Sequence, residues 1–242
     1  MFRTTALVAF LLISINILGQ TYYSDSALVS GSSTYIKKYY YSTRNEFAPL
    51  YRGTVHYSYP ADLIGIPYYL NYEWQIGKVI YEDELYENIS MKYDQVKDQL
   101  IVLNNRESKI PLELFSPRVK EFSFNEVFFK YINKQNPYSL KEGFYQVLDS
   151  GMITALGRTE KVINEEIEGD HIVKKIAEFK RYYAIKENKL FAIKTKKDLF
   201  NIIKEHRKEV LGKLKSRKLR FKKNQESVIT AAVNNYNRLE EN

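Results

Sequence analysis

The chain has 242 residues and a formal charge of +8, with 21 Tyr and 13 Phe but only 10 Gly, 6 Pro and no Cys. That composition excludes a collagenous or broadly disordered body, and it removes disulfides, thiolate metal sites and cysteine nucleophiles from consideration. It is the composition of aromatic-rich strands in one substantial domain or two small ones.

Arg3 precedes an apolar run from Ala6 to Ile13 that resumes at Ile15, Ile17 and Leu18. The run is shorter than the roughly 20 apolar residues that cross a bilayer as a helix. Its apolar residues lie all round rather than along one face, against the pattern of a buried amphipathic helix. Residues 1–19 are therefore read as a signal peptide cleaved near Gly19-Gln20, with an uncleaved anchor as the alternative. Export to the periplasm or outer membrane is expected, with an extracellular destination also open, and no mature transmembrane helix is predicted. Residues 20–50 form a Ser/Thr/Tyr-rich, partly mobile N-terminal segment. Within it Tyr39, Tyr40 and Tyr41 are a candidate aromatic contact, or else pack on a sheet with their hydroxyls wet.

An antiparallel β domain is predicted over 51–193. Short runs with period-two apolar placement include Lys78–Tyr81, Leu85–Tyr93, Gln99–Leu103, Lys109–Leu114, Val119–Phe124, Val127–Ile132, Gly143–Leu148 and Met152–Arg158. Acidic or Asn-containing turns separate the first of these at Glu82–Glu84, Asp94–Asp98 and Asn104–Arg106. Arg181–Ile185 and Lys189–Ile193 make a further hairpin through Glu187-Asn188. The fold class is thus mainly β, an antiparallel meander, sandwich or roll, with a small C-terminal α-helical region.

That region, 194–242, opens with Thr195 and Asp198 three residues on, close to a capping-box pattern. Helices are predicted at about 196–203 and 205–215. A last one is capped by Asn224 and carries Val228, Ile229, Ala232, Val233, Tyr236 and Leu239 on one face. Between Lys174 and Lys223 there are 19 Lys/Arg against 5 Asp/Glu, so the rest of the mature chain is acidic. The basic segment can draw in an acidic envelope protein or an anionic membrane surface, or complement the acidic remainder of the same molecule. Lys213, Lys215, Arg217, Lys218, Arg220, Lys222 and Lys223 are the candidate electrostatic contacts. The leader, and the lack of zinc-finger spacing or a Gly-rich nucleotide loop, argue against nucleic acid.

Chemistry-bearing motifs are sparse. His56, His171 and His206 are far apart and no HExxH is present, so no catalytic, cofactor or metal residues are assigned. Asp170-His171 reads as a solvent-facing turn. The clusters Glu82, Asp83, Glu84, Glu87 and Glu165, Glu166, Glu168, Asp170 read as solvated loop charge rather than calcium ligands, lacking the twelve-residue EF-hand layout. Ser150 lacks the flanking glycines of a nucleophile elbow, and Asp149-Ser150-Gly151 reads as a turn.

Trp74–Gly77, Tyr86-Glu87-Asn88, Tyr93-Asp94 through Asp98-Gln99-Leu100, Thr195-Lys196-Lys197-Asp198-Leu199 and Asn234-Asn235-Tyr236-Asn237 carry a resemblance. On these residues, roughly 65–240, the chain resembles uncharacterised secreted proteins common in the Bacteroidota. The resemblance implies export and a strand block followed by helices, and assigns no catalytic residue. A non-enzymatic cell-envelope interaction or assembly protein is the leading expectation. A ligand or anionic-surface binding module and a secreted enzyme are the alternatives.

Overall fold

Eleven strands form one antiparallel sheet, in a computed structural model that describes residues 49–104 and 109–241. They are β1 (Thr54–Val55), β2 (Gln75–Tyr81), β3 (Glu84–Asp94), β4 (Gln99–Leu103), β5 (Pro111–Glu113), β6 (Val119–Phe124), β7 (Val127–Ile132), β8 (Gly143–Asp149), β9 (Ile153–Glu168), β10 (His171–Lys186) and β11 (Lys189–Ala192). The order β1-β5-β4-β3-β2-β6-β7-β8-β9-β10-β11 is two meanders joined where β2 pairs with β6. The leader, the Gly19-Gln20 cleavage site and Tyr39, Tyr40 and Tyr41 lie outside the described residues.

Tight turns set the registers. Glu82 and Asp83 (φ 52° and 62°), Asn125 and Glu126 (50° and 62°), and Glu187 and Asn188 (50° and 57°) are two-residue connections with both central residues at positive φ. This is the type I′ geometry whose twist matches that of the flanking strands. Across the β6–β7 hairpin Phe122 faces Phe129 directly, with ring centroids 4.8 Å apart. Tyr93 of β3 and Phe144 of β8 join them edge-on, at 5.4 Å and 5.1 Å from Phe122. Aromatic residues on one face of four strands therefore meet in one cluster, which requires the sheet to curl around them.

The curl closes through the β3–β4 turn. β8 and β9 pair only over Gln146–Asp149 and Ala155–Gly157. Beyond that the Phe144 N–H donates to the Asp98 carboxylate, and the Lys161 N–H donates to the Gln95 carbonyl at 3.0 Å. The turn thus satisfies backbone donors that strand pairing leaves open. Gly143, at φ +133°, allows the approach, since a Cβ there would lie 1.9 Å from Asp98 Oδ2. A strap over residues 63–69 bridges from β10 to the end of β3. Ile64 bridges β10, accepting from Ile176 N at 2.9 Å, and Tyr69 N donates to Tyr93 O at 2.8 Å.

β9 and β10 are sixteen residues each, well beyond the predicted Met152–Arg158 and Arg181–Ile185. This corrects the reading of the second acidic cluster: Glu165, Glu166 and Glu168 lie on β9, and only Asp170 sits in the turn. Cross-strand charge replaces apolar alternation there. Lys174 meets Glu165 at 3.5 Å, and Lys175 meets both Glu166 (2.9 Å) and Glu168. In the first cluster Glu82 and Asp83 do occupy a turn, while Glu84 and Glu87 belong to β3.

Three helices, α1 (Lys196–Ile202), α2 (Arg207–Ser216) and α3 (Gln225–Glu240), cover one end of the sheet, with a 3-10 turn at Lys204–His206 before α2. Thr195 and Asp198 form the full capping box. Asn224 stands at the N-cap of α3 but its side chain makes no cap bond. Val228, Ile229, Ala232, Val233 and Tyr236 are buried as predicted, against Leu148, Ile153, Ala155, Tyr182 and Ala184 of the sheet. The Asn-rich end of α3 clips the β8–β9 loop. Asn237 accepts from Ile153 N (2.8 Å) and donates to Ile153 O (2.9 Å) and Asp149 (2.6 Å), while Asn234 donates to Asp149 at 2.9 Å.

Candidate functional site: a basic groove between the C-terminal helices

The groove starts from how α2 ends. Lys218 takes the left-handed conformation (φ 54°), its N–H donating to Lys215 O at 3.0 Å while Leu219 N–H reaches back to Leu214 O at 3.2 Å. These are the two bonds of a Schellman motif, and they turn the chain so that Leu219 folds back over Leu214. Leu219 and Phe221 are left half-buried on the helical core. Opposite, the capping box fixes the entry to α1 and with it Lys194, Lys196 and Lys197.

Between these walls lies a groove of about 950 Å³. Leu211, Leu214, Leu219, Phe221 and Val228 line it, together with seven cations, Lys194, Lys196, Lys197, Lys215, Arg220, Lys222 and Lys223. No carboxylate is among its lining residues, although Asp198 accepts from Lys194 N and Thr195 N beside it, and none of the seven forms an ion pair among the described residues. Thr195 and Gln225 are its only uncharged polar side chains. Chemically this is a receptor for negative charge above an apolar floor.

Four of the predicted electrostatic contacts, Lys215, Arg220, Lys222 and Lys223, line the groove. Lys213, Arg217 and Lys218 are exposed outside it, and Lys213 faces Glu209 at 3.9 Å. Lys194, Lys196 and Lys197 belong to the basic segment but not to the predicted contacts, because they are distant along the chain from the run at 213–223 and only the fold brings the two together. Of the aromatic residues in the basic region, Phe200 is buried in the core and Phe221 meets the groove.

A second cleft, of about 550 Å³, lies under the strap. Its lining mixes Lys161, Lys180, Glu178 and Glu226. Lys161 is already engaged, donating to Ile66 O at 2.8 Å and Tyr68 O at 2.7 Å, and burial pulls its ammonium below the ordinary lysine value. Glu226 accepts from Gln146 at 3.0 Å and from the Tyr182 hydroxyl at 3.4 Å; burial and this carboxylate push the phenol well up. These groups hold the strap and α3 in place.

His56 is buried between Glu113 (2.8 Å from Nδ1) and the Tyr68 hydroxyl (2.9 Å from Nε2), tying β1 to β5 and to the strap. Asp170 and His171 do touch, at 3.0 Å, because Asp170 is in a turn rather than extended, but both are fully in solvent. His206 meets Glu240 at 3.0 Å, joining the turn before α2 to α3. Among the described residues no three His, Asp or Glu side chains converge as a metal site would need, and no helix is long and apolar enough to cross a membrane.

Comparison with protein-family models, with curated proteins and with solved structures gives no match to this chain.

Proposed function

We propose that the chain is a non-enzymatic interaction protein of the cell envelope, exported by the leader at residues 1–19, that engages an anionic envelope partner through the basic groove. One observation carries the reading: seven cations from two separate stretches line one groove, with no carboxylate among its lining residues. Elsewhere on the described surface Lys and Arg side chains recurrently meet acids, as at Lys78–Glu87, Lys97–Glu113, Arg118–Glu82 and Lys141–Glu160, each at 2.5 Å. Like charges gathered on one surface repel one another, and an anion bound among them relieves that repulsion. The leader and the resemblance to secreted proteins support an envelope setting, where lipid headgroups supply such charge.

Sedimentation with vesicles tests the reading. The chain is expected to pellet with phosphatidylglycerol-containing vesicles and not with phosphatidylcholine alone. Changing Lys215, Arg220, Lys222 and Lys223 together to Gln weakens this binding by about a hundredfold or more, since each cation near an anionic surface contributes ~1 kcal/mol. Neutralising Lys213 and Arg217, exposed outside the groove, has a much smaller effect than neutralising Lys222 and Lys223 alone, which removes the same charge from its wall. Equal losses from the two sets would show that net charge, not the groove, is responsible.

A further inference from the structure

We infer that the groove admits one alkyl chain of a lipid whose headgroup is anionic, an assignment that rests on the reading of the groove as an anion-binding contact and specifies its ligand. A surface that met headgroups by charge alone would need cations and nothing more. Here the groove of about 950 Å³ also has an apolar floor among the cations, made by Leu211, Leu214, Leu219, Phe221 and Val228. Leu214 and Val228 are buried at its base, and Leu211, Leu219 and Phe221 are half-buried above them. The volume falls at the upper end of the ~300–1,000 Å³ typical of ligand pockets, so an alkyl chain has room to enter rather than lie across.

The polar inventory separates an alkyl chain from a peptide. A peptide brings N–H groups that must find acceptors when they are buried. The groove offers seven cationic side chains, which donate only, and as side-chain acceptors just Thr195 and Gln225. An alkyl chain makes no such demand, while its headgroup oxygens accept from the ring of Lys and Arg. The Schellman turn supports the same occupant, because it packs Leu219 on the edge of the helical core with one side left open to the groove, leaving apolar surface that a chain of methylenes would cover.

Calorimetric titration of the whole chain with dodecyl phosphate, octyl phosphate and inorganic phosphate, each below its micellar concentration, tests the assignment, with dodecyltrimethylammonium as the cationic control of equal chain length. Dodecyl phosphate should bind at least about tenfold more tightly than octyl phosphate, since each buried methylene contributes up to about fourfold. Inorganic phosphate and the cationic amphiphile should bind far more weakly than either. Leu219→Gln should remove the chain-length dependence, and Leu211→Gln serves the same purpose should the first variant fold poorly. Equal affinity for the octyl and dodecyl compounds, or chain-length dependence unchanged in both variants, overturns the inference. If dodecyl phosphate does not bind while anionic vesicles still do, the alkyl-chain assignment is wrong and the anion-binding reading stands. If neither binds, both are wrong.

Discussion

Arg158 Nη2 lies 3.0 Å from Asp98 Oδ2, joining the β3–β4 turn to the middle of β9 across sixty residues of sequence. The Arg158 side chain is 4% exposed and its guanidinium also stacks over Tyr145, 4.9 Å from the ring centre. Asp98 in turn accepts from the Tyr93 hydroxyl at 2.6 Å and from Phe144 N–H. Burial pushes the Asp98 carboxyl above its ordinary value despite these donors. Arg158 is held more firmly charged, its acidic and phenolic neighbours outweighing its burial. The 3.0 Å contact makes the pair the clasp that closes the curled sheet.

Removing Arg158 leaves the Asp98 carboxylate, 27% exposed, without its counter-charge, so Arg158→Met should cost about 2 kcal/mol in chemical denaturation. A double-mutant cycle with Asp98→Asn should return a coupling of about 1–3 kcal/mol. A coupling near zero would mean that the turn is held by the Gln95–Lys161 backbone bond and the strap alone.

The end of α2 makes a prediction of opposite sign. Lys218 occupies the left-handed position where glycine is usual and where a Cβ is strained by roughly 1–2 kcal/mol. Lys218→Gly should therefore stabilise the chain, by about 0.5–1 kcal/mol once glycine's greater unfolded freedom is set against the relief. A loss of stability would show that the Lys218 side chain does more than its exposed position indicates.

Asn237 fixes the β8–β9 loop through both backbone groups of Ile153, and Gly151 packs so closely that a Cβ on it would lie 2.7 Å from Asn237 Cγ. Asn237→Ala strands a buried donor and acceptor, and a loss of about 2–3 kcal/mol is expected. Hydrogen exchange should show the loosening first at Ile153 N–H. An unchanged exchange rate there would remove the clip as its explanation.

Two carboxylates should shape acid stability in opposite ways. For Glu113, burial alone would raise the carboxyl, but hydrogen bonds from Lys97 and His56 outweigh it and hold the value below the ordinary one. Its contribution is present above the unfolded carboxylate value near pH ~4.3 and is lost as pH falls through the lower folded value. Asp98, with a raised value, contributes below its unfolded value and loses that contribution as pH rises through the folded one. Between pH 6 and 3, stability should therefore fall less steeply in Glu113→Gln than in the parent chain and more steeply in Asp98→Asn. Parallel curves for all three would contradict both assignments.

β4, β6 and β7 were legible to the residue at Gln99–Leu103, Val119–Phe124 and Val127–Ile132, β4 as a short continuous apolar run bounded by turn residues, β6 and β7 through the two-residue turn that joins them. The outer halves of β9 and β10 were not. From Thr159 to Lys180 the strands hold together through the backbone ladder and Lys–Glu pairs across it, a pattern that reads locally as loop charge. Half of the groove was visible as the basic run ending at Lys223. Its other wall was hidden by distance along the chain, and its apolar floor by the Schellman reversal, since the glycine that usually announces such a turn is here Lys218.

Hydrogen exchange of the whole chain with and without phosphatidylglycerol vesicles at low salt tests the central claim, that the groove is the contact. Exchange should slow at residues 194–197 and 211–228, and the protection should fade as salt is raised and the Debye length shrinks from ~10 Å at 0.1 M to ~3 Å at 1 M. The β9–β10 tip, where Ile167 and Ile172 face each other 81% and 67% exposed, is the rival apolar surface and should be unaffected. Protection at that tip with residues 194–197 and 211–228 unchanged would contradict the account.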